Sequence, residues 1–498
     1  MKEIKNIAKG SLIILIGIFL SKFLTYIYRA IVARFLGSSD YGLLTLGLAI
    51  SGFIGIFAAL GLRSGVIRYV SFFRSKEDLR KVKGAITSSL KITLFLGILT
   101  GLLLFLFSNL IGITIFNQPS LSTILKILAV SIPFLGMLQV FLGAFIGFQK
   151  QSYEVISDKI FRGVALLVLT IPLILLGFGV FGATIAYSLT VILTTILAFI
   201  LFEKKTFRLL KTNIKSLRIT RDLLKFSWPL TFTYFFGFVI SYMDTLMLGY
   251  FRTSSEVGIY NTAIPTAGLF LIPAVALFLN MISSMTSLYA KKKTNEFIRV
   301  YKAATKWIFM INFPLFLFFI TFPAYILVIL FGNEYAAGAG SLIILAFGYL
   351  FYSAVTYPSA ALLSMAEKTK FILYSQIVAA VLNFILNIFL IVKYGMIGAA
   401  IATSISLIIG SILFLAFAYK YTKVLPDFKN YIKPVIAGII SLLVVIILAP
   451  LFKIGLYTVI SLAVLYSLAY VALMYAIKGF DKDDIIIFKG ILNRIKLR

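Results

Sequence analysis

The chain has no cysteine and no histidine in 498 residues. Disulfides, thiol chemistry, histidine-based metal sites and imidazole proton relays are therefore excluded. Acidic residues are scarce, 17 against 47 Lys and Arg, which leaves a formal net charge of +30. Charged residues make up only 13% of the chain, where a water-soluble protein carries roughly 25%. What fills the space is apolar: 61% of residues are hydrophobic and the mean hydropathy is +1.05. The apolar residues come in blocks of about 20, long enough as helices to cross ~30 Å of hydrocarbon. The fold class is an all-α integral membrane protein.

Fourteen transmembrane helices are expected, beginning near Ser11, Tyr41, Ala85, Leu121, Val155, Val180, Phe226, Gly258, Thr305, Ser341, Phe371, Met396, Pro434 and Leu456. The N-terminus and alternate connections collect 38 of the 47 Lys and Arg. The opposite connections hold Arg29, Arg34, Arg252, Lys393 and Lys453, while Lys22, Arg63, Lys91 and Lys126 fall within spans or at their edges. That alternation is the positive-inside rule, and an even span count places both termini in the cytoplasm of a cell-membrane protein. The basicity thus encodes topology, and nucleic acid is not an expected partner. Residues 1–20 imitate a signal peptide, but no small-residue cleavage site follows and the apolar pattern runs on to Leu36, so they read as the retained first span.

Two short stretches recur at one offset. "RFLGSSDYG" from Arg34 returns as "YFRTSSEVG" from Tyr250, with Phe35, Ser38, Ser39, Asp40 and Gly42 falling on Phe251, Ser254, Ser255, Glu256 and Gly258. "GVFGATIAYS" from Gly179 returns as "GMIGAAIATS" from Gly395, again 216 residues on. The first pair lies at the connections 1–2 and 7–8, the second at 5–6 and 11–12. A shared offset indicates duplication of a six-span unit, and because six is even the copies form a parallel repeat about an axis along the membrane normal. The expected organisation is an N-lobe at 1–203, a basic cytoplasmic linker at 204–224 and a C-lobe at 225–421. Two extra helices at 422–478 and a cytoplasmic basic amphipathic tail at 479–498 complete the chain, the tail lying on the inner leaflet.

Two lobes facing across such an axis enclose a central cavity. Lys22, Tyr26 and Arg29 lie at i, i+4 and i+7, forming one polar stripe on span one. A charge at the bilayer centre costs ~2.5–3.5 kcal/mol on the insertion scale and normally faces a cavity or a partner. Asp244 is the only carboxylate well inside a span; it is placed to pair with Arg29 or to bind a cation, unless it is a satisfied structural residue. Asn383 and Asn387, with Gln376 nearby, are suited to sugar hydroxyls or equally to interhelical hydrogen bonds. Prolines within many spans allow bent helices.

"YRAIVARFLGSSDYGLLTLGLAI" and "SYMDTLMLGYFRTSSEVGIYNTA" resemble the polysaccharide-biosynthesis flippases of the Wzx type, members of the multidrug/oligosaccharidyl-lipid/polysaccharide exporter superfamily. The resemblance implies two six-helix lobes; an enzyme such as a polysaccharide polymerase or glycosyltransferase would want a substantial external loop or a set of catalytic carboxylates, neither of which the sequence has, so no enzymatic activity and no cofactor are expected. It also implies, as cargo, a polyprenyl-diphosphate-linked oligosaccharide moved from the inner to the outer leaflet, with glycosyltransferases or a polymerase as possible pathway partners. Lys22 and Arg29 suit the diphosphate, and Lys91 on span three would meet the headgroup near the cytoplasmic entrance. A cation-coupled drug exporter and a lipid II flippase stay open as alternatives; the first normally needs a mid-membrane acid in spans one to six, and none is present.

Overall fold

In the computed structural model the described residues are 2–210, 214–277, 285, 288, 291, 293–448, 456–481 and 484. Among them the regular structure is helical. Three continuous helical stretches are twice the length of a membrane crossing: Phe19–Ser75, Gln151–Lys205 and Thr369–Thr422, at 57, 55 and 54 residues. At 1.5 Å per residue each would be about 80 Å long if straight. Each is instead interrupted by glycine in a backbone region that L side chains rarely adopt. Gly37 has φ 75°, Gly177 and Gly179 have φ 88° and 50°, and Gly395 has φ 56°.

Those breaks separate spans one from two, five from six and eleven from twelve. Span three is Leu79–Ile115, and span four is the pair Pro119–Ala129 and Ile132–Gly147, bent by 46°. Span seven is Thr220–Phe251, span eight starts at Ser254, span nine is Thr294–Thr321 and span ten is Asn333–Met365. Ile432–Leu448 and Leu456–Ala476 complete fourteen among the described residues. The expected tail helix beyond Asp484, and Lys211 in the linker, lie outside the described residues.

The chain divides into two compact units, Met1–Asn261 and Thr262–Arg498. The first thus contains spans one to seven and the start of span eight. Its core gathers Leu62, Val66 and Val70 of span two with Phe141 and Phe145 of span four and Phe202 of span six. Within this unit the two copies of the repeated turn touch each other. Ser38 Oγ lies 2.8 Å from Ser255 Oγ, and Ser39 Oγ lies 2.9 Å from Ser254 Oγ. Gly42 abuts the carbonyl of Ser254 so closely that a Cβ would overlap it, and Gly258 abuts the carbonyl of Ser38 in the same way. Each contact therefore has a mate with the partners exchanged, which is the signature of a local two-fold axis.

From this clasp span seven runs alongside span two. Gly249 meets Leu46, Gly52 meets Phe238, and the Phe53 ring stands 5.7 and 5.8 Å from those of Phe235 and Phe238. Further along, Ser64 Oγ is 2.8 Å from the Tyr234 hydroxyl and the Arg68 guanidinium lies 4.3 Å over the Phe226 ring. Small residues admit close backbones and aromatics fill the rest, which is how helices associate in lipid without a hydrophobic driving force.

The second repeat matches in detail too. Gly179 and Gly395 share ψ −133° as well as positive φ. Ser188 of span six donates to the carbonyl of Ile127 on span four, and its counterpart Ser404 of span twelve donates to the carbonyl of Ile344 on span ten. Thr195 bonds the Phe134 carbonyl, and its counterpart Ser411 bonds Thr356. In the second unit, spans nine and fourteen flank an apolar groove of about 1250 Å³. At its end the buried Lys306 ammonium contacts Asp481 at 2.8 Å and Asp484 at 2.5 Å, and Trp307 Nε1 donates to Asp484.

The two clasp glycines are expected to be equivalent. Gly42→Ala and Gly258→Ala should each cost about 1–3 kcal/mol through overpacking, and the double variant should cost less than their sum because both push on one contact. Thermal unfolding of the detergent-solubilised protein measures this; a neutral effect of either alanine would break the symmetry argument.

Candidate functional site

Span one is positioned against span five by small residues. Gly17 packs on Val155, and Gly163 packs on Leu24, where a Cβ would stand 3.0 Å away. The two helices therefore run side by side in the same direction. Lys22 falls between these contacts, at the level of Lys159 and Arg162. Lys22 is exposed, Tyr26 and Arg29 are half-buried, and Arg29 lies against the buried Tyr41 hydroxyl. Both Arg29 and Lys159 are near enough to act on Lys22 as like charges. None of the ion pairs found among the described residues includes Lys22 or Arg29.

Span five carries charges of its own next to span one. Residues 155–161 form a π-helical turn, Val155–Phe161, which inserts an extra residue and rotates the remainder of the helix about its axis. On it Asp158 contacts Lys159 Nζ at 2.5 Å and Arg162 Nη1 at 3.2 Å. Arg162 also donates to the Tyr187 hydroxyl on span six at 3.3 Å. One turn earlier, Glu154 is paired with Arg63 at 2.7 Å, and Arg63 donates to Gln139. Lys159 and Arg162 are absent from the site that sequence reasoning assembles. The Asp158/Arg162 spacing of four is visible, but an unbroken α-helical wheel misplaces them once a π-turn intervenes.

The other expected residues lie on spans three, seven and eleven. Lys91 shares a face of span three with Phe95, Ile98 and Leu102, all exposed. Asp244 is buried and accepts a 2.6 Å hydrogen bond from Tyr260 of span eight. Beside it Asn261 bonds Thr245, so that spans seven and eight are joined by two adjacent polar pairs. Gln376 is exposed among Leu373 and Ile377. Asn383 is buried and donates to Thr403 of span twelve at 3.1 Å, and Asn387 donates to Asn383 at 3.0 Å. The first of these bonds joins spans eleven and twelve, and the second lies within span eleven.

A polytopic helical protein with a duplicated six-span unit and cations inside its first span is a membrane transporter by class. The family described as polysaccharide biosynthesis protein matches residues 7–284, more than half of the chain, and the MatE family matches 229–389. The chain belongs to the polysaccharide biosynthesis protein family. It is 26% identical over 505 residues to an uncharacterized membrane protein of Methanocaldococcus jannaschii, covering 97% of each chain. A probable low-salt glycan biosynthesis flippase of Haloferax volcanii is 24% identical, with 84% of this chain and 86% of that protein covered. Among solved structures, the lipid II flippase MurJ in an inward closed conformation superposes with a TM-score of 0.72 at 18% identity, over 97% of this chain and 99% of that one. This last likeness is one of fold.

Asn383→Ala and Thr403→Val are each expected to lower stability by about 0.6–2 kcal/mol, with the pair coupled rather than additive. A double-mutant cycle on thermal unfolding checks it. Loss of transport at unchanged stability would instead return Asn383 to a sugar-binding role.

Proposed function

We propose that this protein is a flippase that moves a polyprenyl-diphosphate-linked oligosaccharide from the cytoplasmic to the outer leaflet by alternating access. The carrying observation is the stripe of Lys22, Tyr26 and Arg29 within span one, two cations outside the ion pairs found among the described residues. Cations at that depth cost free energy unless something anionic visits them. A diphosphate headgroup brings about two negative charges and strong acceptor oxygens, which suit ammonium and guanidinium donors. Its lipid tail need not enter and can trail between helices in hydrocarbon. An inside-negative potential would favour outward movement of the anion by ~2.3 kcal/mol per charge per 100 mV. The family and the printed names of the flippase relatives support the same reading. The protein lies in the cell membrane with both termini cytoplasmic and acts without catalysing a covalent step.

Lys22→Ala and Arg29→Ala are expected to abolish translocation of the lipid-linked oligosaccharide in proteoliposomes while leaving expression intact. Arg29→Lys should restore little, because an ammonium cannot replace a bidentate guanidinium contact. Unchanged translocation in both alanine variants would remove the cationic site from the mechanism. The cysteine-free chain also permits clean single-site labelling. Leu210→Cys, after span six, should react only from the cytoplasmic side, and Phe178→Cys, between spans five and six, only from outside; both are exposed positions.

A further inference from the structure

We infer that Lys159 and Arg162 of span five belong to the same anion site as Lys22 and Arg29, and that Asp158 occupies the place of the substrate anion between turnovers. The inference rests on reading the span-one cations as the headgroup site. Its own support is geometric. The Gly17–Val155 and Gly163–Leu24 contacts bring Lys22 level with Lys159 and Arg162, on helices in direct contact. Lys159 and Arg162 both contact the one carboxylate, and Lys22 is near enough to Lys159 and to Arg29 to feel both as like charges, so cations outnumber acids along this seam and an anion would relieve their repulsion.

The exposures of the three span-five side chains divide the roles. Asp158 is 9% exposed, whereas Lys159 and Arg162 are each 27% exposed. The carboxylate is thus more shielded than its two partners, each of which keeps part of its side chain accessible. Tyr187, which accepts from Arg162 and lies 5.9 Å beneath its guanidinium, holds that fork in place. An incoming phosphate competes with Asp158 for the same donors. Its binding is weakened by the carboxylate, and its departure is assisted because Asp158 re-forms both contacts. A flippase needs that balance, since a site with only cations would hold a diphosphate too tightly to release it.

Inorganic pyrophosphate serves as the probe, read as the shift in thermal unfolding of the detergent-solubilised protein at low salt. Pyrophosphate should stabilise the wild type, and Lys159→Gln or Arg162→Gln should weaken half-saturation by about tenfold or more. Asp158→Asn should tighten it by about tenfold and, in proteoliposomes, slow turnover of the lipid-linked cargo. Asp158→Asn binding no tighter than wild type, or the span-five glutamines binding as wild type does, would overturn the assignment. If Asp158→Asn does not fold, Asp158→Asn/Arg162→Gln keeps the local charge balance; it should bind pyrophosphate more tightly than Arg162→Gln alone, and binding no tighter than that single variant would count against the proposal. Should Lys22→Ala and Arg29→Ala lose the shift while the span-five variants keep it, only the span-five assignment falls and the flippase reading stands. Should the Asp158 pattern appear in a protein that moves no lipid-linked sugar, the anion site stands and the flippase reading falls.

Discussion

Close approach of one turn to its own duplicate is the constraint on which the first unit depends. Gly42 and Gly258 each take a carbonyl of the opposite turn where a side chain would stand. The four serines then close hydroxyl pairs in exchanged order. Fixing those turns fixes the ends of spans one, two, seven and eight at one level. The seam of span two against span seven grows from that starting point, with Gly52 and Phe53 on one side and Phe235 and Phe238 on the other. Backbone contact of this kind is specific because only glycine permits it, and it needs no water-driven apolar burial.

Much of the fold is legible because the hydrocarbon imposes a length and the duplication imposes an offset. Helix starts expected at Val180, Phe371 and Met396 lie within two residues of those observed. The recurrence of Gly179 at Gly395 announces a shared backbone, and both positions have nearly the same φ and ψ. The site is less legible. Lys22, Tyr26 and Arg29 share a face because span one is regular there. Arg162 escapes notice because the π-turn at Val155–Phe161 changes the angle per residue, which composition and spacing do not encode. The bond from Tyr260 to Asp244 joins residues 16 apart across a turn, and no periodicity within either helix announces it.

The charges divide by what surrounds them. Buried Glu154 is compensated at short distance by Arg63, and buried Lys306 by the two carboxylates of Asp481 and Asp484. The acids available to the first unit's interior are few, as the composition requires, and those on span five are already engaged. Cations therefore outnumber anions around Lys22 by construction. The same scarcity of acid that sets the topology through basic loops also leaves the interior poised for a negatively charged visitor.

The exchanged pairing of the clasp carries a historical consequence. A contact in which residue i meets j, and j of the other copy meets i, is the kind that closes a homodimer about a two-fold axis. A six-span ancestor bearing a single copy of the turn would have met its twin by that contact, in the same membrane orientation. Once fused, each half is free to diverge: Asp40 of the first turn corresponds to Glu256 of the second, and Thr253 stands where the first copy keeps Gly37. Glycine stands in both copies at Gly42 and Gly258, where each admits a carbonyl of the other turn.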